Sequence, residues 1–352
     1  MNRSLSTFLS LMLTAVLSTV AVGQEIVEKE PGLYATRELR ATVPIGPQNR
    51  LVIRSAVRLS GSLTITADKS ANVSLTYTKR ARADSKSKGI DYIDLIAVSL
   101  DQAVDQARLE MRAPNPAPWD KEDEAGIVVA TLVVPVNCTI EVDASGFDVT
   151  AQGPLRSLVI QPSLGRIEAR KVTDKLDVTT ANQRVLLDEI TGDISAATTN
   201  ASIVATKITS LAKAARFRNE GGDIKINGLQ GALNAKNSYG RIDLNDFRPK
   251  GEPSFVRGNS APVIVRISDM PDGRLVITNQ FEDIEVTVPD TISANFSLAV
   301  DEDGAIETTN LRFKTDLVEK DRLNLHTGSG AAEISGSIRG KGRIYVRGAK
   351  GD

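Results

Sequence analysis

Apolar residues two positions apart recur along this chain at a regular stride. One set of pairs runs Val149/Ala151, Ile167/Ala169, Val185/Leu187, Ile203/Ala205, Ile224/Ile226, Ile242/Leu244, Val263/Val265 and Ile284/Val286. A second set keeps the stride at Ile140/Val142, Leu158/Ile160, Leu176/Val178 and Ile194/Ala196, then resumes at Leu233/Ala235 and Leu275/Ile277. Residues i and i+2 of a strand share a face, so each pair predicts a short strand with both side chains inward. A third apolar position, at Val172, Ile190, Ile208, Leu229 and Phe247, moves in step with the first set. Two strands per coil of roughly 18–21 residues, with little helical periodicity, predict an all-β fold. The expected architecture is a single-stranded parallel β-solenoid over residues 138–352. Small residues in the inward columns, such as Ala151, Ala196 and Ala235, predict a narrow cross-section.

Two details refine the coil. The longer step from Ile203 to Ile224 predicts that three extra residues bulge at 212–219, where the second apolar pair looks degraded. An Asn follows the second strand once per coil, at Asn182, Asn200, Asn219, Asn237, Asn259 and Asn279. Asn tolerates the left-handed conformation of a tight corner and stacks by side-chain hydrogen bonds, so this column predicts structural corners.

Residues 24–137 lack the stride and predict a β-rich N-terminal capping region with one short helix. Strands are expected at 51–53, 63–65, 73–77 and 127–134, and a hairpin between 95 and 111. Ile90, Ile93 and Ile96 fall at helical spacing within 83–96, interrupted by Gly89. The loop 114–124 carries three prolines, four acids and the only Trp; Trp119 is expected to cap the core. Past Pro289 the repeat blurs: Phe296/Leu298 keep the stride, residues 301–320 are expected to loop out, and Leu323/Leu325 and Ile344/Val346 resume it. Arg339, Lys341, Arg343 and Arg347 flank the last strand and predict a charged edge that discourages end-to-end stacking.

Residues 1–23 read as a signal peptide: Arg3, an apolar run from Phe8 to Val22, and small residues at Ala21 and Gly23. No cysteine follows for lipid attachment, and no later segment suits a membrane span, so an exported protein is expected, periplasmic or extracellular. The formal net charge of −1 and 4% aromatics argue against nucleic acid and against extended stacking platforms. Cys138 is the only cysteine, which excludes an intramolecular disulfide and predicts a buried structural thiol.

The chemistry-bearing residues do not converge. Around the first inward position the flanking columns read Arg166, Arg184, Ser202, Asp223, Arg241, Asp283 and Glu168, Leu186, Val204, Lys225, Asp243, Glu285. They alternate in sign and predict compensating pairs, although a carboxylate pair for glycoside cleavage could form from Asp193 and Asp243 if a coil bends. His326 is the only histidine, so triads and multi-histidine zinc sites lack their parts. Asp301-Glu-Asp-Gly304 opens like a calcium loop without the remaining ligand spacing. Lys79, Arg80, Arg82, Lys86 and Lys88 form a basic cluster read as a solvated face. No catalytic, cofactor-binding or metal-ligating residue and no cofactor is assigned.

Pro135-Val-Asn-Cys-Thr-Ile-Glu-Val142, Gly192-Asp-Ile194, Gly222-Asp-Ile224 and Thr327-Gly-Ser-Gly330 resemble the strand entry and coil openings of a bacterial adhesin-like β-solenoid family, similar to autotransporter adhesin head domains. The resemblance spans about residues 35–350. It implies a right-handed, mostly parallel β-helix on an exported protein, without established enzymatic activity. The expected function is a non-enzymatic adhesin-like binding or scaffold protein of the cell envelope. Its expected partner is an envelope polymer, a polysaccharide or a protein, with no nucleic acid and no transmembrane span after signal removal. Two alternatives stay open: a carbohydrate-active β-helix lyase or hydrolase, and an envelope-stress sensor.

Overall fold

The structure is a computed structural model describing residues 25–301 and 303–349; the expected signal peptide lies outside the described residues. The described residues are all-β, with 28 strands in one hydrogen-bonded sheet and one α-helix, Lys86–Asp94.

Strand pairing follows the apolar columns. Val149, Ile167, Val185, Ile203, Ile224, Ile242, Val263 and Ile284 align as successive parallel partners. All eight are buried, as is the third column from Val172 to Phe247. In the second ladder Ile140, Leu158, Leu176 and Ile194 align likewise. Each layer adds two or three apolar side chains to a core that no single layer could close.

The longer step between Ile203 and Ile224 is absorbed at 211–214, just after the third apolar position, where Leu211 points to solvent. The following strand Ala215–Asn219 is not degraded as expected: Ala215 and Phe217 are fully buried and continue the second ladder.

The corner column also needs correction. None of the six Asn residues has positive φ; in the first ladder the left-handed position falls on Lys171, Glu189, Lys207, Gly228 and Asp246, each just before a third-column apolar residue, and among the corner residues Phe281 is left-handed. The corner position reads Thr180, Thr198, Asn219, Asn237, Gly258 and Asn279; all but Gly258 are buried, and their polar side chains hold carbonyls of the turn. Asn219 Nδ2, for example, donates to Ala201 O and Gly222 O, both at 2.6 Å. Asn182 and Asn200 sit two residues further out and bond each other at 2.7 Å.

The ladders do not begin at Cys138. Strand Thr139–Asp143 pairs in parallel with Arg50–Ser55, and Phe147–Ser163 pairs with Leu59–Asp68. Those two strands pair in turn with Ala107–Arg112 and Ala125–Pro135. Outside them the direction reverses: Ala97–Gln102 and Asn72–Arg82 run antiparallel to their neighbours. The expected helix packs over this end. Its Gly89 is buried, and a Cβ there would overlap the Tyr34 ring. Trp119 is buried, donates from Nε1 to Arg58 O at 2.8 Å and lies edge-on to Tyr92.

At the other end chain order and layer order part company. The next layer after Ile284–Pro289 is Arg343–Ala349, and the layer beyond that is Ala305–Thr309. Likewise Ala332–Arg339 lies between Arg274–Gln280 and Ala294–Ala299. Residues 301–320, expected to loop out, contain Ala305–Thr309 and the strand Lys314–Val318, which forms an antiparallel hairpin with Arg322–His326. Leu323 and Leu325 therefore do not resume the parallel stride. The basic residues around Arg343–Ala349 flank an interior layer, not a free edge.

Candidate anion-binding groove

The outward side chains of the second ladder decide where a ligand could sit. Residues one position past the inward Phe217, Ala235 and Val256 are Arg218, Lys236 and Arg257, aligned as successive partners. Adjacent strands are about 4.8 Å apart, so like charges stand opposite one another, an unfavourable arrangement for an isolated sheet. Arg218 has Glu220 at 3.7 Å. Among the described residues Lys236 and Arg257 form no ion pair, and neither does Arg339, two layers beyond Arg257.

These three cations line one groove of about 470 Å³. Its remaining lining is amide or hydroxyl: Ser238, Asn259, Thr278, Gln280 and Ser337 among them, with no carboxylate. The floor is set by Gly258. Where neighbouring layers turn Asn237 and Asn279 inward to hold turn carbonyls, Gly258 has no side chain; a Cβ would come within 2.5 Å of Asn279 Oδ1. Arg257 is steadied by the Phe255 ring, 5.0 Å from its guanidinium carbon. Just past Ser238 and Gln280, the corner exposes Tyr239 and Phe281, at 68% and 60%.

Several of the other outward charges are committed to the fold. Asp148, Asp223 and Asp283 each accept the backbone N–H of the next layer, from Arg166, Arg241 and Arg343. Asp193 pairs with Lys213 at 3.0 Å and Asp243 with Arg266 at 2.7 Å, in different ladders, so the two are not brought together as an acid pair. Lys171, Glu189 and Lys207 stack as a charge triplet. His326 Nδ1 lies 2.9 Å from Asp316 in the terminal hairpin. Asp301 accepts from Gly340 N at 2.6 Å, and Glu302 of the calcium-like stretch lies outside the described residues.

The N-terminal basic cluster is dispersed. Lys79 is buried, donates to Ile96 O at 3.1 Å, and burial lowers its pKa. Lys88 lies 2.5 Å from the buried Glu124, which also accepts from Tyr92 Oη at 2.7 Å. That contact with Lys88 holds the Glu124 carboxyl below the usual carboxylate range. Burial pushes the Cys138 thiol up to about 12.

No protein-family model and no curated protein matches the chain. Among solved structures, it is similar to a candidate adhesin of Parabacteroides merdae at 11% identity, covering 88% of this chain and 95% of that one, with a TM-score of 0.32. A candidate adhesin of Parabacteroides distasonis gives 10%, 88%, 97% and 0.29. A candidate lipid-binding protein of the same species gives 9%, 89%, 97% and 0.23. Superpositions this loose carry no argument about role.

The groove was not visible as a site in the sequence. Lys236 and Arg257 stand one coil apart, but Arg339 comes far later in the chain, and only the layer order brings it beside Gln280. The available signal was the run of like charges one position past the inward column.

Proposed function

We propose that this is an exported, non-enzymatic, adhesin-like binding or scaffold protein of the bacterial cell envelope, built as a parallel β-solenoid. The in-register parallel ladders support the solenoid reading, and the strong bias of parallel crossovers toward one hand favours right-handed coils. Antiparallel strands and the helix then cover one end, with coils beginning near Arg50 and not at Cys138.

The observation that carries the binding reading is the groove: three unpaired cations and neutral polar groups converge there, while the carboxylates described above are tied to cations or backbone amides. A donor-rich groove without a carboxylate holds a ligand and lacks the acid and base that glycoside hydrolysis uses. The test is incubation of the purified protein with polymers isolated from bacterial envelopes. Retention without new reducing ends or unsaturated products is expected. Depolymerisation would move the protein to the carbohydrate-active alternative.

A further inference from the structure

Resting on that binding reading, we propose that the groove takes a linear acidic polysaccharide, carboxylated or sulfated, laid along the stacking direction of the strands. The cations form a column along that direction: Lys236 and Arg257 occupy adjacent layers, and Arg339 follows two layers on, one row over. Such a row matches a ligand carrying one anion after another, and an anion between two cations relieves the repulsion that the empty column carries.

The rest of the lining separates an acidic glycan from other polyanions. Amides and hydroxyls of Ser238, Asn259, Thr278 and Gln280 suit sugar hydroxyls. Three aromatic side chains are strongly exposed in the described residues: Tyr239, Phe281 and Phe313. Two of these share one corner position beside this groove, with Ser260 in the layer between, so they stand about 10 Å apart. Exposed rings at that spacing offer faces for sugar rings. No aliphatic or aromatic side chain lines the groove, so an acyl chain would find no apolar wall there.

The test uses the protein without its signal segment, titrated calorimetrically with polygalacturonate, its methyl ester, dextran sulfate, dextran and anionic phospholipid vesicles. Binding of at least one acidic polymer is expected, at least tenfold tighter than its neutral counterpart and weakened by salt. Arg257→Gln and Lys236→Gln should each weaken it about tenfold or more, the range of a charge-assisted contact. Tyr239→Ala should weaken it several-fold, whereas Lys225→Gln, on the other ladder, should leave it unchanged. All four positions are solvent-facing, so an unchanged circular dichroism spectrum separates lost binding from lost fold. Equal affinity for acidic and neutral forms, no effect of Arg257→Gln and Lys236→Gln, or binding to vesicles instead would each overturn the inference. If envelope polymers are still retained by Arg257→Gln, the groove assignment falls and the broader binding reading stands. Cleavage of the polymers sinks the broader reading itself.

Discussion

Replacing Ile224 with Asp tests the register on which every other statement depends. Ile224 is fully buried between Ile203 and Ile242, one layer on either side. Removing such a side chain to Ala costs about 2–5 kcal/mol, transfer plus cavity. Asp adds a second cost. In that apolar column the carboxyl stays protonated, while the unfolded chain ionises with a pKa near 3.9. At pH 7 that difference is about three pK units, or roughly 4 kcal/mol. The sign follows from the raised folded pKa: the carboxyl's penalty is nearly absent below pH 4 and grows as pH rises. Urea unfolding followed by circular dichroism should therefore place Ile224→Asp about 6–9 kcal/mol below wild type at pH 7. The gap between Ile224→Asp and Ile224→Ala should shrink by roughly 3–4 kcal/mol between pH 7 and pH 4. Lys225 is exposed beside Asp223, and Lys225→Ala should stay within about 0.5 kcal/mol. Equal midpoints for Ile224→Asp and Lys225→Ala, or a gap between Asp and Ala indifferent to pH, would refute the inward register.

The remaining expectations concern the N-terminal end and the thiol. Cys138, fully buried with its pKa pushed up to about 12, should resist thiol reagents at pH 8 until urea unfolds the chain; prompt labelling of the native protein would contradict its placement. Because Lys88 depresses the Glu124 pKa, that pair stabilises the fold above the normal carboxylate range and loses its contribution as pH falls through the folded value. Glu124→Gln should accordingly flatten the acid limb of the stability–pH curve, measured by the urea midpoint between pH 3 and 6. Gly89→Ala should push the helix off Tyr34 and lower stability by about 1–3 kcal/mol; a neutral midpoint would mean the helix is not seated there.

The part of the fold legible in the sequence was the part governed by repetition. Ile203 and Ile224 announce their shared column because β-branched residues two apart have one economical use in a strand, and the column tolerates only like for like. Phe217 broke the pattern while obeying the packing, since its inward partner is the small Ala215 where the earlier strands open on Ile or Leu, yet both are buried. The corners misled for a related reason: Asn219 and Asn237 are selected for an inward donor, and the left-handed strain falls instead on Lys171, Glu189 and Lys207, whose charges pair across layers. Layer order was not legible at all near Ala294–Thr309. Nothing local in Ile344 or Val346 says that their layer has partners on both sides, at Ile284 and Ile306, each far earlier in the chain. The groove inherits that invisibility, because Arg339 reaches it only through this reordering.

Stability and binding make opposite demands on the outward columns, and the structure keeps the two apart. Where strands merely have to stack, charges alternate between layers: Arg170 faces Asp188 at 2.9 Å, Arg50 faces Glu141 at 2.6 Å, and Asp243 reaches Arg266. Each such pair is worth little singly, yet it removes a reason for neighbouring layers to repel. At Arg218, Lys236 and Arg257 the alternation stops over three consecutive layers. A scaffold selected for stacking alone gains nothing from that run of like charges, which leaves these layers less well neutralised than their neighbours. The departure from the local rule falls where the groove lining holds no carboxylate, and that coincidence is the ground for proposing an anionic ligand there.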